Sequence, residues 1–121
     1  MSNNKITVFY LSTCRTCTKI MDQLNLPATT VLREIKSAPV TPAELITMVG
    51  LAGTHENLFS RKAMKYRSLG LDKLVLTEAD YEKYILMEYT FLKRPVIIVN
   101  NQIFIGNAGA TIKAAYEAIH G

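Results

Sequence analysis

A β-branched and aromatic run, Lys5-Ile6-Thr7-Val8-Phe9-Tyr10, gives way after the polar turn Ser12-Thr13 to a pattern of helical period. That junction narrows the folds open to the chain. Branched and aromatic side chains pack well on a pleated surface, so the run reads as a buried strand. From about Cys14 to Leu24, the residues Cys17, Ile20, Met21 and Leu24 share one helical face, and Pro27 stops the helix. Thr30 to Ile35 reads as a second strand, interrupted by Arg33 and Glu34. Strand, helix and strand in this order predict a parallel pair joined by a right-handed crossover.

Three helical stretches follow. Thr41-Pro42-Ala43-Glu44 combines a capping threonine, a proline in the first turn and a glutamate that completes a capping box. That helix carries Leu45, Ile46 and Val49, and Gly50 is expected to end it. Leu58 to Leu69 reads as a second helical region, broken near Ser60 and ended by Gly70. Thr77-Glu78-Ala79-Asp80 opens a third by the same capping logic, running to about Glu88. Then Val96 to Val99 is an aliphatic strand, Asn100-Asn101 a tight turn, Gln102 to Ile105 the return strand, and Ala110 to His120 an alanine-rich helix. The expected fold class is α/β: a mixed four-stranded sheet flanked by helices, with an inserted helical region at about 41–92.

At 121 residues the chain has room for one domain, read here as 1–121, with a core that needs no disulfide or metal staple. An apolar fraction of 49% against 20% charged excludes disorder. The longest aliphatic run, Val96-Ile97-Ile98-Val99, is far short of the ~20 residues of a bilayer span, so no membrane partner is expected. Met1-Ser2-Asn3-Asn4-Lys5 shows no apolar leader, which predicts a cytoplasmic protein with free thiols. The net charge of +4 is scattered, and no stretch has the density of a nucleic-acid-binding arm, so no direct nucleic-acid contact is expected.

Chemistry concentrates at Cys14-Arg15-Thr16-Cys17, where the first strand ends and the first helix begins. Unpaired N–H groups and the helix dipole favour an anion there, and Arg15 adds positive charge, so the Cys14 thiol should ionise readily. Cys17 lies one turn on, ~5–6 Å away on the same face, within reach of a disulfide. Cys14 is thus the expected attacking thiol and Cys17 the resolving one. Two plainer readings stay open. Cys17 fits the apolar stripe as a core residue, and C-x-x-C can be half a zinc site, for which His55 and His120 are the available partners without a tight spacing. His55, in a loop, reads as solvated, and no metal is expected. A second feature is Lys93-Arg94-Pro95-Val96. Pro95 opens a strand at no cost in ladder bonds, as an ordinary trans start or as a cis bond held against the thiol site. Arg94 reads either as a surface cation or as a planar fork for an oxyanion or carboxylate.

Cys14-x-x-Cys17 after the first strand, Tyr66-Arg67-Ser68-Leu69-Gly70-Leu71, Arg94-Pro95-Val96-Ile97-Ile98 and Ile105-Gly106-Asn107, in this order, resemble the arsenate reductase ArsC/Spx family. The resemblance implies a thioredoxin-like fold, a cis bond at Pro95, a thiolate nucleophile at Cys14 and anion binding at Arg94. Glutathione/glutaredoxin-coupled arsenate reductases of that family use one cysteine and three arginines. Arg94 matches one of these, the second falls near Ser60 or Arg61, and the third falls near the uncharged Gly106. The pair Cys14/Cys17 matches the C-x-x-C branch instead.

The expectation is therefore a thiol-disulfide oxidoreductase with no bound cofactor, served by a small thiol or thiol protein: glutathione, glutaredoxin or thioredoxin. Arg94, with Arg15 and Arg61, would hold the anionic end of the substrate beside Pro95. The alternative from the same resemblance is an Spx-like redox sensor that binds the RNA polymerase α subunit. True arsenate reduction ranks third.

Overall fold

A computed structural model of the chain describes residues 4–121. Met1, Ser2 and Asn3, the start of the segment expected to hold no apolar leader, lie outside the described residues. Residues 4–38 and Arg94–Gly121 pack as one unit, and Pro39–Lys93 as another.

The first unit is a four-stranded mixed sheet with two helices. Strands β1 (Ile6–Tyr10), β2 (Val31–Glu34), β3 (Val96–Val99) and β4 (Gln102–Ile105) lie in the order β2-β1-β3-β4. Helix α1 (Arg15–Leu24) joins β1 to β2, which pair in parallel from Thr7↔Val31 to Tyr10↔Glu34. β1 pairs antiparallel with β3, from Ile6↔Val99 to Phe9↔Val96, and β4 returns along β3 from Val99↔Gln102 to Val96↔Ile105. Asn100, in the left-handed region at φ 55°, makes the expected hairpin turn. Alternation along the strands sends Ile6, Val8, Ile97 and Val99 into one core with Ile20 and Leu24 of α1 and Ala115 and Ile119 of the last helix, α5 (Gly109–His120). His120 Nε2–H donates to the Leu24 carbonyl at 2.7 Å beside that packing.

The second unit is the helical insert: α2 (Pro42–Ala52), α3 (Met64–Ser68) and α4 (Glu78–Met87), linked by short 3₁₀ turns. Both capping boxes form. Thr41 Oγ1 accepts the Glu44 N–H while Glu44 accepts the Thr41 N–H, and Thr77 and Asp80 repeat the exchange. The core is aromatic. Phe59 stacks on Phe91 with centroids 5.1 Å apart, flanked by Tyr81 at 4.9 Å and Tyr66 at 5.9 Å.

Three expectations for this region need correcting, at Gly50, over Leu58 to Leu69 and at His55. Gly50 does not end α2, which runs on to Ala52 and is capped by Gly53 at φ 96°. A glycine inside a helix costs only about 1 kcal/mol, whereas a positive φ needs one. The helical region from Leu58 to Leu69 breaks near Ser60 and ends before Gly70, as expected, but the break is wider than a kink and leaves only Met64–Ser68 as α-helix. Phe59 bridges Leu92, and Ser60 N–H donates to the Phe91 carbonyl at 2.7 Å, so extended pairing consumes the backbone before α3 begins. His55 is likewise not solvated. Its Nδ1 lies 3.1 Å from Glu78 and its Nε2 3.2 Å from Glu82, carboxylates one turn apart on α4.

Candidate active site

The register of the sheet brings two distant segments together. Because Phe9 faces Val96 across an antiparallel pair, the chain leaving β1 runs beside the chain entering β3. The first carries Leu11 to Cys17 and the second carries Arg94 and Pro95.

Cys14 is the N-cap of α1, with extended backbone at φ −91°, ψ 106°. Its N–H donates to the Leu11 carbonyl at 3.0 Å, and its carbonyl accepts the Thr18 N–H at 3.2 Å, the first bond of the helix. A sulfur is a weak acceptor, and the side chain makes no conventional cap hydrogen bond. It nevertheless sits where the unpaired N–H groups of the first turn converge. Cys14 is half-buried and Cys17 fully buried, and both are free thiols.

The two thiols are pushed in opposite directions. Burial works against ionising Cys14, but the Cys17 backbone N–H, the Cys17 thiol and the charge and hydrogen bonding of Arg94 outweigh it. The net direction is down from the ordinary cysteine value. For Cys17, burial dominates and drives the thiol up to about 11. The Leu11 backbone and Arg94 oppose that rise, while the hydrogen bond and negative charge of Cys14 add to it. One sulfur is thus favoured as thiolate and the other held as thiol.

Cys14, Cys17 and Arg94 meet around one sulfur, and Arg94 is the cation that acts on it. Arg15 opens α1 and is exposed. Pro95 is buried, its bond with Arg94 is cis, and its carbonyl accepts the Gly106 N–H at 2.9 Å. Gly106 has φ 87°, a backbone conformation that suits glycine. Arg61 belongs to the second unit. There its Nη2 donates to Glu56 at 2.6 Å and to the Tyr81 hydroxyl at 3.0 Å, and its guanidinium lies over the Tyr81 ring.

Sequence reasoning passed over Glu34, treated only as an interruption of β2. Its Oε2 accepts the Ser12 N–H at 2.9 Å, and its Oε1 accepts the N–H groups of Lys36 at 3.0 Å and Ser37 at 2.8 Å. These hydrogen bonds, that from Ser12 first, hold the carboxyl down at about 2. The readable signal was a carboxylate at a strand end, shortly before the polar pair Lys36-Ser37.

Among the described residues, no group of three or more His, Cys, Asp or Glu could hold a metal ion, and no helix is long and apolar enough to cross a membrane.

The model of the ArsC family matches residues 9–115. Solved structures with the same fold include an arsenate reductase from Vibrio cholerae (TM-score 0.78, 14% identity, covering 97% of this chain and 99% of that one). An arsenate reductase (ArsC) related protein from Brucella melitensis gives a TM-score of 0.71 at 17% identity, covering 97% and 98%. A protein from Bacteroides fragilis described as related to the ArsC family gives 0.77 at 22%, covering 91% and 97%. At these identities the likeness is one of fold. No curated protein matches the chain significantly.

Proposed function

The chain belongs to the ArsC family, and from that premise we propose that it is a thiol-disulfide oxidoreductase working through Cys14 and Cys17. The single observation that supports this reading most is the placement of two free thiols at one helix N-terminus, Cys14 half-buried at the N-cap and Cys17 buried in the first turn.

The Cys14 thiolate attacks one sulfur of a substrate disulfide. A Cys14–substrate mixed disulfide forms, and the other half leaves as a thiolate that takes a proton from water. Cys17 then loses its proton and attacks the Cys14 sulfur. The Cys14–Cys17 disulfide forms, the remaining substrate thiolate leaves, and two electrons have passed from the protein to the substrate. Glutathione, glutaredoxin or thioredoxin would return the two electrons.

The order of events follows from the electrostatics. Two of the influences that keep Cys17 protonated are the hydrogen bond and the charge of Cys14. Both vanish once Cys14 is tied up in the mixed disulfide, so Cys17 becomes more acidic at the step that needs its thiolate. Arg94, already beside the Cys14 sulfur, is placed to take an anionic substrate group, with Pro95 beside it. Arg15, at the start of α1, is the further cation that such a group could engage.

The test is turnover of a glutathione mixed disulfide with a thiol reductant, followed by mass spectrometry. Cys14→Ser is expected to abolish turnover, and Cys17→Ser to accumulate a glutathione adduct on Cys14. Undiminished turnover by Cys14→Ser overturns the proposal.

A second reading uses the same bond. Closing Cys14 onto Cys17 ties the N-cap to the first turn of α1, a local change that a redox sensor could present to the RNA polymerase α subunit. Binding of that subunit by only one redox form, with negligible turnover, would favour it.

A further inference from the structure

We propose that Glu34 is a positioning residue for Cys14: by gripping the Ser12 N–H, its carboxylate fixes the loop that sets the Cys14 sulfur over the first turn of α1. The inference rests on the reading of Cys14 as the working thiolate.

The carboxylate joins two segments just beyond the end of the β1–β2 pairing. On one side is the loop from Leu11 to Cys14, which presents the sulfur. On the other is the turn after β2, and that turn is well braced. Besides the Lys36 and Ser37 N–H groups on Glu34 Oε1, the Ala38 N–H donates to the Glu34 carbonyl at 3.0 Å, and Arg33 Nε donates to the Ala38 carbonyl at 3.1 Å. β2 itself is anchored to β1, with the Ile35 N–H donating to the Tyr10 carbonyl at 2.9 Å. The grip on Ser12 thus issues from a rigid support. Hydrogen bonds to an ionised acceptor are roughly twice as strong as neutral ones, so one such bond can hold a short exposed loop.

The consequence lies two residues on. Leu11 accepts the Cys14 N–H, and its backbone also acts on the Cys17 thiol. A Leu11–Cys14 loop released at Ser12 would let the N-cap drift from the Cys17 N–H and from Arg94. The Cys14 thiolate would then lose part of its stabilisation. Glu34 carries the same sign of charge as that thiolate, so a clamp and a bare anion predict opposite outcomes. Acting only as a nearby anion, its removal would make Cys14 more acidic. Acting as a clamp, its removal makes Cys14 less acidic.

Glu34→Gln separates them. The amide keeps the shape and one acceptor oxygen, which the paired Lys36 and Ser37 donors retain, and its NH₂ then meets the Ser12 N–H donor to donor. The readout is the thiolate absorbance of Cys14 against pH, in a Cys17→Ser background with Glu34 and with Gln. The expected result is an upward shift of the Cys14 titration, with a roughly two- to fivefold smaller thiolate fraction at pH 7, the span of a first-turn charge–helix interaction. An unchanged or downward-shifted titration overturns the proposal. A measurement on the unmutated protein stands beside it: the Ser12 amide should exchange slowly with solvent, and free exchange likewise overturns the clamp. An ordinary cysteine titration in the parent Cys17→Ser protein would instead sink the reading of Cys14 itself.

Discussion

Replacing Arg94 by glutamine deletes the cation beside the Cys14 sulfur and keeps a hydrogen-bonding amide in its place. An opposite charge within ~4–6 Å moves a pKa by about one to three units. Cys14 is only half-buried, so solvent screening sets the loss near the low end, about one unit upward. Well below the titration midpoint, one unit means about tenfold less thiolate. The thiolate that remains is a better nucleophile. With a Brønsted slope of about 0.4–0.5, a one-unit rise in pKa speeds it about threefold. At a pH well below both midpoints, the net expectation is a reaction about threefold slower than the parent. At alkaline pH, where both proteins are fully ionised, the variant should be about threefold faster. The two rate profiles must cross. The assay is stopped-flow reaction with an uncharged aromatic disulfide, from about pH 5 to about pH 10, in a Cys17→Ser background that leaves one thiol. An uncharged reagent keeps Arg94 from acting by attracting it. Profiles that run parallel, with the variant slower throughout, would refute the idea that Arg94 acts through the charge of the sulfur.

Two further outcomes follow from the same geometry. The Cys17 thiol is held up at about 11 in the folded chain, against an ordinary value near 8.5 when unfolded. Between those values the unfolded chain has released a proton that the folded chain keeps, so stability must fall as pH rises through that window, by at most about 3 kcal/mol. Denaturant titrations of Cys17→Ala across the window should lose this slope. In the insert, Phe59 is wholly buried and stacked on Phe91. Phe59→Ala should cost about 3–5 kcal/mol in denaturant titration, and a loss under ~1 kcal/mol would mean that the aromatic cluster is not the core of its unit.

The sheet was legible because each of its strands declares itself locally: an uninterrupted branched run for β1 and β3, a two-residue asparagine turn between β3 and β4, and a helix of clear period between β1 and β2. Both capping boxes were legible for the same reason, since their partners lie three residues apart. The dithiol and Arg94 could be proposed as neighbours from the resemblance, but composition and spacing alone had no access to the strand register that unites them. What escaped was non-local. The Phe59–Leu92 bridge widens the expected break near Ser60 into an extended stretch, because a backbone group can be claimed by a partner far along the chain. His55 looked solvated until α4 supplied two carboxylates. Glu34 reads as a flaw in a strand when only its neighbours are considered, yet its partner Ser12 lies across the β1–α1–β2 crossover.

The antiparallel match of Phe9 with Val96 has a consequence for biosynthesis. It means that the sulfur and its cation come from opposite ends of the polypeptide. A ribosome-bound fragment that has emerged only through the insert carries both cysteines but neither Arg94 nor Pro95, and β1 has no β3 to pair with. Such a nascent chain would hold the Cys14 sulfur without its cation. Arg94's share of the thiolate's stabilisation would be added only when the last strands are delivered.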